Sequence, residues 1–475
     1  MKKEMRYIVL TMLFGIMSSV IGENQKLLPE IKNILLIMSD DLKASSLSVY
    51  GNEVCKTPNI DRLAASGVVF EKAYCQGMAC RPSRPSMMSS IYPFSKAKAL
   101  TIGEHLKKFD MHTARVGKIF HMGVPHAQLD GSNSMDVAAC WTERHNTISK
   151  ETYSPGLYRL LNKGIVTREV EGRDAKGPNR MFATVESDME DGSDQADHMV
   201  ATKAIELLQQ RKKAGKPFFL GVGFVRPHFP MVQPKRFFDM YPQETMKVPP
   251  QIKGDQDDIP HAGLAFTGKE LNRSEESRRR MWQAYYASIT FMDEQLGRVV
   301  DELDRLGLRE STAIIFTTDH GYHLGEHGFW QKANLHEEVA RVPFIVYAPG
   351  IKPSRTSSLV ELVDFYPTCT DLLGLPTPEG LHGKSLEPIL RDPKAKVRDL
   401  ALSINMHRKG VVGGGTIRSA TWHYMNYAGK GEELYDMVND PDQYVNVINN
   451  PEYSEILKVA RVKYEQRMTE AQVLH

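Results

Sequence analysis

The sequence lacks an excess of charge of either sign. It has 60 lysine and arginine residues against 58 aspartate and glutamate residues, so its formal net charge is +2. This balance gives no electrostatic basis for binding nucleic acid, and selectivity for an anionic ligand has to come from a local cluster of charge. Internal repeats and low-complexity tracts are also missing. The composition, with 41% hydrophobic residues, is that of an ordinary globular protein with a large core.

Long apolar runs are missing apart from one at the N-terminus. Residues 8–21 are uncharged and apolar, and they follow the basic residues Lys2, Lys3 and Arg6. A basic segment followed by an apolar one is typical of a signal peptide, which we expect to span residues 1–22. The run is shorter than the roughly 20 residues of a spanning helix, and a retained membrane anchor is the alternative. We therefore expect an exported protein, periplasmic or extracellular, without stable membrane insertion.

Cysteine is scarce, and its number is odd. The five residues are Cys55, Cys75, Cys80, Cys140 and Cys369. An exported protein is expected to pair its cysteines in disulfides, and an odd count leaves one thiol over. The spacing fixes no pairing, so the leftover thiol has to be explained by its own surroundings.

The chain alternates between short apolar runs and helical patterns. Buried strands are predicted at residues 34–38, 68–70, 113–116, 218–224, 313–316 and 344–347. Helices are predicted at residues 57–67, 196–210 and 278–306. This alternation predicts an α/β fold, in which a large and mostly parallel sheet is sandwiched by helices.

Changes in composition suggest how the chain is divided. Residues 122–192 are polar, rich in glycine and weakly periodic, so we expect an excursion over the surface that shapes a pocket rim. Residues 374–383 are rich in glycine and proline and resemble a connector. A strand-like run at 422–427 and a helical pattern at 453–471 then predict a smaller C-terminal α+β subdomain. The predicted parts are a signal peptide at 1–22, a main domain at 23–370 and a C-terminal subdomain at 371–475.

Acidic residues follow two of the predicted strands. Asp40 and Asp41 come just after the first strand, and Asp319 with His320 comes just after the strand at 313–316. Ligands of open α/β sheets bind at the carboxyl ends of strands. Adjacent carboxylates repel each other unless a cation neutralises them, and their hard oxygen atoms suit calcium or magnesium. The pattern favours a metal site; helix capping or a solvated turn is the structural alternative.

A third group of polar residues surrounds one cysteine. In Cys80-Arg81-Pro82-Ser83-Arg84 the cysteine is followed by a proline and two arginines, which give a positive local field that stabilises a thiolate or binds an anion. The alternative is a structural half-cystine, which is the commoner fate of a cysteine in a secreted protein.

The Cys-x-Pro-Ser-Arg motif resembles the formylglycine signature of the type I sulfatases. Met88-Ser89-Ser90 stands where members of that family usually have Leu-Thr-Gly. Further motifs occur in the family's order between residues 33 and 349, and the ordered set is far more specific than the cysteine motif alone. These motifs are Asp40-Asp41, Thr57-Pro58-Asn59-Ile60-Asp61, Gly117-Lys118-Ile119-Phe120-His121, Arg226-Pro227-His228-Phe229-Pro230, the run from Asp319 to Gly328, and Lys332. The Gly-Lys-x-x-His spacing and the Asp-His pair resemble the iduronate-2-sulfatase-like branch, within the alkaline phosphatase superfamily.

The resemblance implies that residues 23–370 form a catalytic sulfatase domain with one divalent metal ion, Ca²⁺ in preference to Mg²⁺. It also implies that Cys80 is oxidised to formylglycine (3-oxoalanine), whose hydrated form attacks sulfur with one hydroxyl group. The second hydroxyl then allows sulfate to be expelled, whereas an ordinary serine would be stranded as a stable sulfate ester. The implied metal ligands are Asp40, Asp41, Cys80, Asp319 and His320.

The resemblance gives catalytic roles to five other side chains. Arg84 would hold the hydrated aldehyde and offset negative charge. Lys118 and Lys332 would bind the sulfate oxygens, over which charge is spread in the transition state. His228 would protonate the leaving alcohol and His121 would take the proton of the second hydroxyl, although the sequence does not decide which histidine is the acid.

The resemblance further implies a sulfated saccharide as substrate, with a 2-O-sulfated uronic acid as the nearest expectation. A formylglycine-generating or sulfatase-maturating enzyme would be the modifying partner. Three alternatives stay open. They are a phosphonate or phosphodiester hydrolase of the same superfamily, an inactive carbohydrate-binding relative, and a disulfide-bonded secreted protein in which Cys80 is not modified.

Overall fold

The computed structural model describes residues 30–169, 177–264, 274–406 and 412–473. The predicted signal peptide at 1–22 lies outside these residues. In the part of the chain that is described, every helix is too short or too polar to cross a bilayer.

An eight-stranded sheet forms the centre of the fold. Its strands are β1 (Asn33–Asp40), β2 (Val68–Tyr74), β3 (His112–Gly117), β4 (Glu143–His145), β8 (Phe218–Pro227), β10 (Thr312–Thr317), β13 (Arg341–Tyr347) and β14 (Ser354–Glu361). Their order is β14-β2-β13-β10-β1-β8-β3-β4. Strand β13 runs antiparallel to both neighbours, and the other pairs are parallel. Each of the six predicted strands falls within one of these, so the prediction of a mostly parallel sheet is confirmed.

Helices cover both faces of this sheet. The α-helices are α1 (Pro58–Ser66), α2 (Cys80–Ser89), α3 (Ile102–Lys107), α4 (His126–Asp130), α5 (Ala196–Ala214), α6 (Lys235–Asp239), α7 (Glu275–Arg305), α8 (Glu337–Ala340), α9 (Phe365–Leu372), α10 (Glu387–Arg391) and α11 (Ser454–Glu470). Alternate residues of β1 point to opposite faces. Leu35 and Ile37 join the core beneath α5 and α7, whereas Leu36 and Met38 join the core beneath α2 and α9.

The segment predicted as a surface excursion, 122–192, contains much more structure than expected. Its described part supplies β4 to the large sheet and β5 (Gly156–Leu160), β6 (Ile165–Thr167) and β7 (Ala183–Ser187) to a second sheet, ordered β6-β5-β7-β9 with β9 (Met231–Pro234). Tyr158, Leu160 and Val185 are fully buried there. The prediction of a plain surface excursion is therefore wrong, because these short strands bury too few residues to give a clear periodic signal.

The C-terminal part forms a smaller sheet with one helix against it. Its strands are β15 (Ala401–Met406), β16 (Val412–Arg418), β17 (Trp422–Asn426) and β18 (Glu432–Asp436), and a small hairpin elsewhere joins β11 (His323–Leu324) to β12 (Trp330–Gln331). Ala460, Tyr464 and Met468 of α11 share a core with Ile417 and Leu434. The α+β character predicted for this region is present, and the boundary at 370/371 stays a prediction.

The expectation that the cysteines pair in disulfides is wrong. All five are free thiols, and all are buried. Cys75, Cys140 and Cys369 lie in the core beneath α2 and α9, and Cys55 lies in the opposite core. These four act as small apolar side chains, which is a common use of a buried cysteine. Cys80 has different surroundings.

Candidate active site

The acidic residues predicted to bind a metal converge at one edge of the large sheet. Strands β1 and β10 are parallel neighbours, with Met38 opposite Thr317. The residues that follow them therefore emerge side by side. Asp40 is the last residue of β1, and Asp41, Asp319 and His320 follow the two strands; all four are fully buried, with 0% exposure.

Cys80 is the first residue of α2 and points into this acidic group. Its Sγ lies 3.4 Å from Asp40 Oδ1, 3.3 Å from His320 Nε2 and 3.3 Å from Lys332 Nζ. Burial raises the pKa of the Cys80 thiol well above its ordinary value, and Asp319 and Asp40 raise it further. The unmodified thiol is therefore protonated at neutral pH and is a weak nucleophile.

The donor atoms fit a divalent cation. Ligand atoms of Asp41, Cys80, Asp319 and His320 all lie within 4.8 Å of one another. His320 Nδ1 lies 2.8 Å from the carbonyl of Gly321, so Nδ1 carries the proton and the lone pair on Nε2 faces the cluster. Asp41 Oδ2 is buried and accepts no hydrogen bond. Such an orphaned oxygen in a fully buried carboxylate is what a hard cation satisfies.

The carboxylates have different electrostatic environments. Burial raises the pKa of Asp41, and Lys332 and His320 offset this only in part. Burial alone would also raise the pKa of Asp40, but Lys118, His228 and Arg84 together hold it well below its usual range. The Asp40 carboxylate is thus stabilised by the protein, whereas the Asp41 carboxylate gains from a further positive charge.

The Arg84 side chain donates all of its hydrogen bonds to other groups of the protein. Its Nε donates to Asp319 Oδ2 at 2.8 Å, and Nη2 donates to Asp40 Oδ1 and to the carbonyl of Ser39, each at 3.0 Å. Nη1 donates to the carbonyls of Lys118 and Ile119. All five N–H groups are used, so none is left for the hydrated aldehyde that the resemblance assigns to Arg84. In this structure Arg84 instead fixes two carboxylates from different strands.

The two lysines predicted to bind sulfate donate hydrogen bonds to Asp40 and Asp41 in this structure. Lys118 Nζ donates to Asp40 Oδ2, and Lys332 Nζ donates to Asp41 Oδ1 at 2.6 Å. Burial alone would lower the pKa of Lys332, but Asp41 and Cys80 hold it well above the ordinary value. The side chain of Lys118 is fully buried, whereas that of Lys332 is 15% exposed. Lys332 therefore lies on the open side of the site.

Both predicted proton-transfer histidines adjoin this cluster and are neutral. His228 Nε2 lies 3.8 Å from Asp41 Oδ2, and its Nδ1 donates to the carbonyl of Phe229. Burial, Lys118 and Lys332 lower the pKa of His228 well below its ordinary value. Burial and then Lys118 lower the pKa of His121 to about 4, and its buried Nδ1 has no hydrogen-bond partner. Each imidazole therefore offers a free lone pair. An imidazole that acts as a proton donor has to take up its proton after an anionic ligand has bound beside it.

Comparisons with known proteins agree with this geometry. Residues 32–375 match the protein-family model described as Sulfatase. The chain belongs to the sulfatase family. Residues 325–472 also match the model described as N-sulphoglucosamine sulphohydrolase, C-terminal. The sulfatase is thus a sulfuric ester hydrolase.

Two relatives and one solved structure show how far the likeness extends. Iduronate 2-sulfatase of Mus musculus is 32% identical over 401 residues, which cover 73% of this chain and 69% of the relative. An arylsulfatase of Clostridium perfringens is 30% identical over 467 residues, covering 90% and 92%. The crystal structure of a phosphonate monoester hydrolase of Agrobacterium radiobacter has a TM-score of 0.76 at 20% identity, covering 93% and 97%, and so shares the fold.

Some residues that support the sulfatase site were not identified from the sequence. Asp41 has a left-handed backbone, with φ of 63°. The hydroxyl of Tyr285 donates to the Asp41 carbonyl at 2.6 Å and accepts from the backbone N–H of Lys43 at 3.0 Å. The Lys43 side chain pairs with Glu326 and, at 3.1 Å, with Glu338. Nothing in the helical pattern around Tyr285 signals this contact, whereas Glu326 belongs to the motif that follows Asp319.

Proposed function

We propose that this sulfatase removes a sulfate group from a saccharide, with Cys80 oxidised to formylglycine and Ca²⁺ as the metal ion. The observation that carries the proposal is the position of Cys80 Sγ, between His320 Nε2 at 3.3 Å and Lys332 Nζ at 3.3 Å. A nucleophile in this position faces metal-ligand atoms on one side. On the other side it faces an ammonium group that suits an anionic ester.

The ion would be held by Asp40, Asp41, Asp319, His320 and the oxygen that replaces sulfur at position 80. When bound, it supplies Lewis-acid stabilisation of the negative charge on the reacting oxygens. Calcium suits the site better than magnesium because the side chains that would hold it are buried and crowded. Calcium accepts six to eight flexible oxygen ligands, whereas magnesium usually keeps several of its waters.

The chain's own basic residues complete the chemistry. Lys332, on the open side, can give up its hydrogen bond to Asp41 and donate to a sulfate oxygen instead. Lys118 offsets the negative charge of the sulfate group from the buried side. An anionic ester beside His228 raises the pKa of that imidazole, so Nε2 can carry the proton that the leaving alcohol needs. The unpartnered Nδ1 of His121 accepts the second proton.

Formylglycine at position 80 supplies, once hydrated, two hydroxyl groups on one carbon. One would attack sulfur as the alcohol leaves, and loss of the proton from the other would expel sulfate and restore the aldehyde, so the enzyme would not be left as a stable ester. Cys80 is only 3% exposed, so an oxidising enzyme has to act before the chain has folded around it. Such a partner, and export through the N-terminal segment, belong to the proposal.

The names of the relatives support a proposal for the substrate class. One of them is named iduronate 2-sulfatase, which indicates a sulfated uronic acid. We propose a sulfated saccharide from a glycosaminoglycan or a similar polysaccharide, with a 2-O-sulfated uronic acid as the first candidate. A phosphonate monoester hydrolase shares the fold, so a phosphonate monoester or a phosphate diester is the competing substrate.

The test uses protein from a host that has a formylglycine-generating enzyme. Peptide mass spectrometry measures how far Cys80 is converted, and sulfate release is measured on defined sulfated oligosaccharides and compared with hydrolysis of an aryl phosphate diester. We expect conversion, and a kcat/KM at least tenfold higher for the best sulfate. Cys80→Ala should lose turnover and keep its melting temperature, whereas Cys55→Ala, at a buried cysteine outside the site, should keep activity. Full activity without conversion, or a preference for the diester, would contradict the proposal.

A further inference from the structure

Arg180 lies beside the loop that carries His228. Strands β7 and β9 are parallel, with Thr184 opposite Met231, so the segments that precede them lie at the same end of the second sheet. The guanidinium carbon of Arg180 lies 5.9 Å from the centre of the Phe229 ring. That ring is 4.2 Å from the imidazole of His228. Arg180 is thus separated from the predicted proton donor by one aromatic side chain.

Arg180 has no counter-ion in the part of the chain that the structure describes. Its Nε is buried without a hydrogen-bond partner, and among the described residues no carboxylate pairs with it. Other buried arginines of the second sheet and its neighbourhood are paired, since Arg226 binds Glu151 and Arg280 binds Glu186. A partly buried cation without an anion costs free energy, which an anionic ligand would offset.

The distances of Arg180 and Lys332 from one aromatic ring limit how far apart the two cations can be. Lys332 Nζ lies 5.6 Å from the centre of the same Phe229 ring. Two cations therefore lie near one ring, and the greatest separation that the two distances allow is comparable with the span of one sugar residue and its substituents. An ester sulfate at Lys332 would leave Arg180 within reach of another substituent on that sugar or the next one.

We propose that Arg180 binds a second anionic group of the saccharide, next to the sulfate ester that is cleaved. This inference rests on the proposed function. A planar guanidinium with free N–H groups matches the paired oxygens of a carboxylate or of a second sulfate. The shared chemistry is an oxyanion, and the source is either a uronate carboxylate or another sulfate ester. The Phe229 ring lies 5.9 Å from the Arg180 guanidinium carbon and 5.6 Å from Lys332 Nζ, so it adjoins both anion positions.

The experiment compares three matched disaccharides. The first carries a 2-O-sulfated uronic acid, the second is its carboxyl-reduced counterpart, and the third is the reduced compound with an additional sulfate. Wild-type enzyme, Arg180→Gln and Arg180→Lys are assayed on each. The control variant is Arg236→Gln, because Arg236 also stacks on a phenylalanine, with its guanidinium carbon 3.9 Å from the Phe237 ring centre, but is exposed and paired with Glu294.

We expect Arg180→Gln to lower kcat/KM about ten- to a hundredfold more for an anion-bearing disaccharide than for the neutral counterpart, mainly through KM. Arg180→Lys should recover part of the loss, and Arg236→Gln should behave as wild type. A larger loss on the uronate identifies the carboxylate as the ligand, and a larger loss on the disulfated compound identifies sulfate. Equal losses on all three disaccharides would show a purely structural role and overturn the inference. Failure of wild-type enzyme on every sulfate ester, including 4-nitrophenyl sulfate, would instead reject the proposed function.

Discussion

Arg226 and Glu151 form a buried ion pair that holds the His228 loop in place. Arg226 Nη2 donates to Glu151 Oε2, and the two side chains are 1% and 0% exposed. The same guanidinium donates to the carbonyls of His228 and Pro230, each at 3.0 Å. Asp197 at the start of α5 accepts from the backbone N–H of Arg226 at 2.9 Å. The position of His228 therefore depends on an acidic residue that lies 75 positions before Arg226 in the sequence.

Removing the charge of Glu151 should damage both stability and catalysis. Glu151→Gln removes the ion-pair partner of the buried Arg226, which typically costs about 3–5 kcal/mol. We expect a lower melting temperature, and a kcat that falls more than KM changes, because His228 is displaced while the substrate contacts remain. Thermal unfolding and sulfate-release kinetics measure the two effects. Glu294→Gln is the matched control, since Glu294 pairs with Arg236 at the exposed surface. Equal behaviour of the two variants would contradict this role.

The variant Cys80→Ser should keep the attack on sulfur but lose the step that releases sulfate from the enzyme. A serine at position 80 offers one hydroxyl, so attack on sulfur would give a sulfate ester that has no second hydroxyl to expel the sulfate. We expect at most one alcohol released for each enzyme chain and an intact mass that corresponds to one added sulfate. Intact-protein mass spectrometry and a burst measurement with an aryl sulfate test this. Repeated turnover by a homogeneous Cys80→Ser preparation would show that a diol is not needed.

The candidate metal-ligand segments could be predicted because they lie at the ends of buried strands whose apolar runs are unmistakable. Asp40 and Asp319 come together because β1 and β10 are adjacent and parallel. Glu151 could not be predicted in the same way. It is fully buried with a left-handed φ of 37°, yet it lies in a weakly periodic stretch whose short strands give little signal. The role of Arg84 also depends on three-dimensional structure, since its five donors are satisfied by carbonyls and carboxylates from three segments.

Ser90 shows how a family difference can be accommodated. It ends α2 with φ of 56°, a left-handed conformation in which the usual glycine of the family has no strain. The Ser90 hydroxyl donates to the carbonyl of Val363 at 2.7 Å and accepts from the N–H of Gly383 at 3.0 Å. These two bonds compensate for the backbone strain, and sequence comparison alone does not reveal them.

The pair of His327 and Asp255 should make stability depend on pH. His327 Nδ1 lies 3.2 Å from Asp255 Oδ2. Burial alone would lower the pKa of His327, but the hydrogen bond and charge of Asp255 raise it above the ordinary value of 6.5. Since the charged imidazole is favoured in the folded protein, the stabilisation is complete below pH 6.5 and is lost as the pH rises through the higher folded pKa.

We therefore expect Asp255→Asn to be most destabilising below pH 6.5 and to approach wild type at higher pH. Urea unfolding at a series of pH values gives the free energy of unfolding for both proteins. The control is Asp188→Asn, because Asp188 pairs with Arg168 at the exposed surface and should give a small difference at every pH. A constant gap between Asp255→Asn and wild type across the range would contradict the linkage.

Removal of the proposed metal ion should lower the melting temperature, and this response should depend on the Asp41 carboxylate. Calcium at a concentration one hundred times its dissociation constant stabilises a folded protein by about 2.7 kcal/mol, so chelation should lower the melting temperature by several degrees. Asp41→Asn should lose this response. Without calcium the variant should melt no lower than wild type, because it replaces a buried carboxylate whose Oδ2 has no hydrogen-bond partner. Asp301→Asn, at an exposed ion pair with Arg62, should keep the full response. Magnesium should give a smaller shift than calcium at equal concentration. A melting temperature that is insensitive to chelator and to both ions would show that this cluster does not bind a divalent cation.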